Sequence, residues 1–176
     1  HVSNLDDRAK NVSGMIKALK KLSENRNDFE FHVVGDGKQR TELESLAQNL
    51  ELLNKTVFFG GSKPSSEVAT IMQKADMFLL FSNYDNLPCV MIESMASGLP
   101  VIGSAIHGIK EHVKEGRGVL VEPGNERALC DAISHVMNTI RAYDKMKLRA
   151  YAQANFSYAS VADQFDAIYQ KIIQTR

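Results

Sequence analysis

Five short runs of apolar, largely β-branched or aromatic residues recur along this chain: Phe29 to Val34, Thr56 to Phe59, Met77 to Phe81, Pro100 to Gly103 and Gly118 to Val121. Most lack polar alternation, the mark of strands covered on both faces rather than one. The segments before and between them carry helical period: Asn11 to Ser23, with Val12, Met15, Ile16, Leu19 and Leu22 on one stripe, then Arg40 to Leu50, Ser65 to Lys74, Leu87 to Ser97 and Ile109 to Glu115. Strand alternating with helix at this spacing predicts βαβ crossovers, hence an open, mostly parallel α/β sheet with helices on both faces. After Val121 the strand pattern stops, and Glu126 to Asn138, Ile140 to Asn155 and Tyr158 to Ile173 predict a C-terminal helical tail. His1-Val2-Ser3 reads as the tail of a buried strand, and the chain as an excised part of a longer one.

A length of 176 residues with 44% hydrophobic content suffices for one core, so residues 1–176 are expected to form one domain. Lys+Arg of 21 balances Asp+Glu of 21, which leaves no global field to draw in nucleic acid or an anionic membrane. Any anion must be held locally. Cys89 and Cys130 form neither a disulfide framework nor a metal-ligand spacing, so a reducing, cytoplasmic setting is expected. The longest apolar run has five residues, Met77 to Phe81, against roughly 20 for a spanning helix. The reading is of a soluble protein with no insertion into a membrane.

In such sheets ligands sit beyond the carboxyl ends of the strands, where Gly35-Asp36-Gly37, Gly60-Gly61, Pro88 and Gly108 fall. The stretch from Ser82 to Val101 carries the most chemistry. A strand ends at Phe81, a polar turn follows, and a helix is expected to begin near Asn86 or Leu87 with Pro88 in its first turn. Its free N–H groups and positive dipole end then make a local phosphate site. Glu93 stands among Val90, Met91, Ile92, Met95 and Ala96, where a carboxylate loses solvation and must regain it from donors. Those donors belong either to a neighbouring Lys or backbone amide, or to a ligand such as a ribose diol. Asp85 precedes Glu93 with seven residues between, and is either a turn or capping aspartate or a second group facing the cleft. His32 reads as core; His107, in a strand-end turn, is either solvated or a ligand contact.

The segment resembles the signature of the retaining nucleotide-sugar glycosyltransferases of family 4, the group 1 transferases. These carry two carboxylates with seven residues between them, the second opening a stretch of the form E-A-M-A-x-G-x-P-V. Here that reads Asp85-x7-Glu93, then Glu93-Ser94-Met95-Ala96-Ser97-Gly98-Leu99-Pro100-Val101. The likeness continues in order through Lys10-Asn11, Val33 to Gly37, Val57 to Gly60, Ala75-Asp76, Gly108 to Glu111, Gly118 to Val121 and Pro123-Gly124.

The resemblance implies a Rossmann-like domain that is the C-terminal, donor-binding half of a GT-B enzyme, with the N-terminal acceptor half outside this chain. By position it implies that Glu93 holds the ribose hydroxyls, that Asn86, Leu87 and Pro88 contact the diphosphate or sugar, and that Asp85 faces the donor sugar. It implies that Lys10 neutralises the leaving diphosphate, although a lone Lys is otherwise a surface residue. It places Gly61, Ser62, Lys63 and Pro64 at the nucleobase and Gly35, Asp36 and Gly37 on the cleft floor. The implied reaction moves a sugar from a nucleoside diphosphate to an acceptor hydroxyl with retention, and calls for no metal and no cofactor beyond the nucleotide-sugar. The isolated fragment is expected to transfer nothing.

Two positions depart from the family pattern. Asp85 replaces the usual Glu and is one methylene shorter. The family's Arg before the lysine falls at Asn4 or Leu5, while Arg8, the nearest candidate to replace it, is out of register. Two other readings stand beside the transferase: a non-catalytic nucleotide-sugar-binding module, and a nucleotide-sugar epimerase of the same scaffold. The stripe Val161, Phe165, Ile168, Tyr169 and Ile172 either packs on the domain's own sheet or, as the resemblance implies, crosses toward the acceptor half.

Overall fold

A computed structural model describes residues 1–174. In chain order the elements are α1 (Asp7–Lys10), α2 (Val12–Ser23), β1 (Phe31–Val34), α3 (Arg40–Asn49), β2 (Val57–Gly61), α4 (Ser65–Lys74), β3 (Phe78–Leu80) and α5 (Cys89–Ala96). They continue with β4 (Val101–Ser104), α6 (His107–Lys110), β5 (Gly118–Val121) and α7 (Glu126–Thr139), then a 3-10 turn over Ile140–Ala142, α8 (Lys145–Phe156) and α9 (Tyr158–Gln174).

All strand pairing is parallel, in two ladders, β1–β2 and β3–β4–β5. The segment His1 to Ser3 lies between them. Val2 bridges Val34 in parallel, and the Ser3 N–H donates to the Val34 carbonyl at 3.1 Å. On its other side the His1 ring reaches the Leu79 carbonyl at 2.9 Å. A carbonyl only accepts, so Nδ1 carries a proton, and Nε2 lies 2.7 Å from the Ser3 hydroxyl. The resulting order is β2, β1, residues 1–3, β3, β4, β5, the doubly wound arrangement whose ligands sit at the carboxyl edge.

Alternation along β3 explains the lack of polar residues there. Leu79 and Phe81 join one core with α2, α3 and α7, while Phe78 and Leu80 join a second with α5, α6 and α8. Successive side chains point to opposite faces, so a strand between two helix layers must be apolar throughout. Away from the centre this lapses. His32, expected in the core, is exposed on β1, stacks on Phe58 at 5.2 Å and meets Glu30 at 2.9 Å.

The helix expected over Ile109 to Glu115 is shorter and earlier, ending at Lys110. Ile109 and Val113 are both buried at helical spacing, but Nε of Arg117 takes the His112 carbonyl at 2.7 Å and turns the chain. The helix after β3 starts at Cys89, with Pro88 at its N-cap rather than inside its first turn. On α9 the apolar stripe is left open: Phe165 and Ile168 are each 54% exposed.

Asn11 is the hinge between α1 and α2. It sits at φ 50°, ψ 45°, where a left-handed backbone suits Asn or Gly, and its side chain accepts the Gly14 N–H at 3.2 Å. Replacing Asn11 by Ala removes the cap and strains the backbone, with an expected loss of about 2 kcal/mol in urea unfolding, whereas Asn11→Gly is expected to cost well under ~1 kcal/mol. Equal losses from both variants would contradict this account of the turn.

Candidate functional site

The loops that follow the strands at their carboxyl ends touch one another in sequence. The turn 35–37 lies under the first segment: the Leu5 N–H donates to the Asp36 carbonyl at 3.0 Å, and a methyl on Gly35 would fall 1.8 Å from the Ser3 carbonyl oxygen. The Gly35 N–H in turn donates to the Gly61 carbonyl at 2.9 Å. Arg40 stands beside Gly61 and bonds Glu44 at 2.7 Å, which raises the Arg40 pKa above its ordinary value and keeps it charged.

Lys10 and Asp85, 75 positions apart, form an ion pair of 2.6 Å between Nζ and Oδ2. The two side chains are only 19% and 14% exposed, so Lys10 is not the solvated surface residue that a lone Lys usually is. The fully buried Ser82 hydroxyl also reaches Asp85 Oδ2, at 3.3 Å.

Lys10 ends a helix of four residues, too short to hold itself together. External bonds hold it. The Asp7 N–H donates to Gln39 Oε1 at 2.7 Å, Asp7 Oδ1 accepts the Ser13 N–H at 2.7 Å, and Asn83 bonds the carbonyls of Arg8 and Ala9. Asp7, Gln39, Ser82 and Asn83 were not legible as site residues; a polar side chain in a loop gives no sign of a partner dozens of positions away.

The Asp85 loop leads into α5, whose first turn no side chain caps. Asn86 and Leu87 are exposed and Pro88 is buried. Behind them Gly108, in the first turn of α6, lies so close that a methyl there would fall 1.1 Å from the Asn86 carbonyl oxygen. Only glycine admits this approach.

Glu93 corrects an expectation. It is exposed, not enclosed by apolar neighbours, because α5 buries Met91, Ser94 and Met95 and turns Cys89, Glu93 and Ala96 outward. Those three share a face at the 100° advance of a helix. Among the described residues no hydrogen bond or ion pair reaches the Glu93 carboxylate, which excludes the neighbouring-Lys alternative.

The remaining expected residues occupy the loop rims. Arg8 is exposed and its guanidinium has no partner among the described residues; only its carbonyl is engaged. Asp36 and Gly37 are exposed, with Asp36 Oδ1 accepting the Gly37 N–H at 2.8 Å. Ser62, Lys63 and Pro64 are exposed, and Lys63 pairs with Glu67 at 3.3 Å. His107 is exposed beside Gly108. A cavity of about 960 Å³, lined by Phe29, Met77, Phe78 and Met137, opens at the other end of the strands and holds none of these residues. Among the described residues no cluster of three or more His, Cys, Asp or Glu is placed to hold a metal ion, and no helix is long and apolar enough to cross a membrane.

Chemically, the arrangement offers a fixed cation, open helix N–H groups and a hydrated carboxylate. Asn86→Ala keeps the backbone, whereas Gly108→Ala displaces it. We therefore expect Gly108→Ala to lower stability by about 1–3 kcal/mol or more in denaturant unfolding, as overpacking does, with Asn86→Ala within ~0.5 kcal/mol of the parent. A Gly108→Ala protein as stable as the parent would overturn the close approach.

Comparison with known proteins follows the same lines. Residues 1–153 match the family model described as "Glycosyl transferases group 1". N-acetyl-alpha-D-glucosaminyl L-malate synthase of Bacillus anthracis is 27% identical over 99% of this chain and 45% of its own length. The putative colanic acid biosynthesis glycosyltransferase WcaL of Escherichia coli strain K12 is 32% identical over 68% of this chain and 31% of its own. Among solved structures, Anabaena Alr3699/HepE in complex with UDP-glucose has a TM-score of 0.83 at 24% identity, over 97% of this chain and 48% of that one. TarM of S. aureus, in a complex that includes UDP, has a TM-score of 0.85 at 21% identity, over 96% of this chain and 34% of that one. The fold is thus the one found in part of GT-B glycosyltransferases, and the chain spans less than half the length of these curated relatives.

Proposed function

This chain belongs to the glycosyl transferases group 1 family, and we propose that it is the donor-binding half of a retaining transferase that moves a sugar from a nucleoside diphosphate to an acceptor hydroxyl. The observation that carries this reading is the Lys10–Asp85 pair beside the open start of α5, with the unpartnered Glu93 on that helix. In this reading residues 1–176 are one donor domain, and the acceptor half lies elsewhere in a longer chain, so the isolated domain transfers nothing.

The chemical demand is charge. As the bond between the anomeric carbon and the diphosphate oxygen breaks, negative charge grows on the diphosphate and must be met by groups already in place. An ammonium has three donors and Asp85 uses one, which leaves Lys10 two for diphosphate oxygens. The N–H groups of the α5 first turn add to it, without any net charge on the protein. The proposal assigns no metal and no cofactor to this step. Asn86, Leu87 and Pro88 set the backbone along the diphosphate and sugar. Asp85, held by Lys10 and Ser82, faces the donor sugar. Gly61, Ser62, Lys63 and Pro64 meet the base, with the turn at Gly35, Asp36 and Gly37 below and Arg8 at the rim.

Because Glu93 is hydrated in the free protein, ribose hydroxyls replace water rather than rescue a stranded charge. A charge-assisted hydrogen bond contributes about 1.5–3 kcal/mol, so Glu93→Ala is expected to weaken nucleotide binding by about tenfold or more. The structural neighbours bound to UDP and UDP-glucose make UDP the first probe. Calorimetric titration with UDP, GDP and ADP is expected to show binding by at least one, weakened by both Glu93→Ala and Lys10→Ala. Unchanged affinity in Glu93→Ala would remove the ribose role; binding by none would remove the donor-site reading.

One observation favours a second reading, a non-catalytic binding module. The Asp85 carboxylate is already engaged by Lys10 and Ser82 and is shorter than the family's Glu. Sugar-transfer assays on the full-length protein are expected to show activity that Asp85→Ala abolishes. Donor binding with no transfer by the parent would favour the module.

A further inference from the structure

We propose that Asn83 is a positioning residue for Lys10, clamping the turn that carries the lysine onto the loop that carries Asp85; this rests on the donor-site reading above. A helix end leaves its last carbonyls without intrahelical partners, and the four-residue α1 consists of little else. Two of those carbonyls are taken by Asn83 from across the site. Its backbone N–H donates to Ala9 O at 2.8 Å, and its side-chain Nδ2 donates to Arg8 O at 2.9 Å.

Asn83 therefore caps α1 from another loop. The next residue of that helix is Lys10, and two positions beyond Asn83 stands Asp85, whose carboxylate meets the lysine ammonium at 2.6 Å. One loop thus grips the turn twice, once at its backbone and once at its charge.

The two grips do different work. A lysine stem has four flexible carbons and can reach Asp85 from several positions of its backbone. Asp85 alone would not determine which way the remaining ammonium protons point. The Asn83 clamp fixes where the stem begins, so the protons that Asp85 leaves free are directed to one place. The pair of bonds also carries the Asp85 loop and the Lys10 turn as one unit, so the spacing of the two backbones does not rest on the ion pair alone. Because Asn83 is exposed, truncating it leaves both cores untouched.

The test is a double-mutant cycle on the full-length protein, reading UDP affinity in the parent, Asn83→Ala, Lys10→Ala and the double variant, with GDP or ADP as the probe if the parent binds that nucleotide instead. Asn83→Ala keeps the backbone bond and loses the side-chain one, so binding is expected to weaken about fivefold, the effect of one hydrogen bond. In the Lys10→Ala background the same substitution is expected to change nothing further. An Asn83→Ala protein that binds as tightly as the parent overturns the proposal. So does a fivefold loss that persists without Lys10, since Asn83 would then act through something other than the lysine. A parent that binds no nucleoside diphosphate overturns the donor-site reading itself, and this inference with it.

Discussion

The ion pair between Lys10 and Asp85 joins the two loops on which the rest of the site depends. Neither charge is fully enclosed, but both are mostly withdrawn from water, so each needs the other. Removing one member of such a pair leaves the other poorly solvated, which is more damaging than losing an exposed contact. The pair also sits where the chain changes direction twice, at the end of α1 and ahead of α5, and a sheet with both faces covered supplies the fixed frame behind it.

That frame was readable from residue types because its physics is local. Unbroken apolar runs mean strands between two helix layers, and the observed β3 and β4 are buried along their whole length. The bounds of α4 and β5 agree with the pattern residue for residue. Where the frame thins, the pattern misleads. His32 sits in a strand, yet the face it points to is uncovered. α6 stops at Lys110, and just beyond it an arginine several residues later claims the His112 carbonyl, an event with no period to betray it.

The site itself was legible in outline and not in its wiring. Spacing and turn chemistry placed Asp85, Glu93 and the start of a helix at one edge of the sheet. They did not show that Glu93 lies on the outward stripe of α5, since a helix so rich in apolar residues gives little sign of which face is open. Nor did they show the bonds that Gln39 and Asn83 make to the α1 turn, which join loops far apart in sequence. The carboxylate is exposed, and the desolvated charge expected from its neighbours in sequence is absent.

A crystal structure of the protein with UDP bound tests the central claim most directly. The account predicts diphosphate oxygens within hydrogen-bond distance of Lys10 Nζ and the first N–H groups of α5, with the ribose hydroxyls on Glu93. A nucleotide seated elsewhere, with Lys10 still bonded to Asp85 alone and Glu93 facing water, would contradict it.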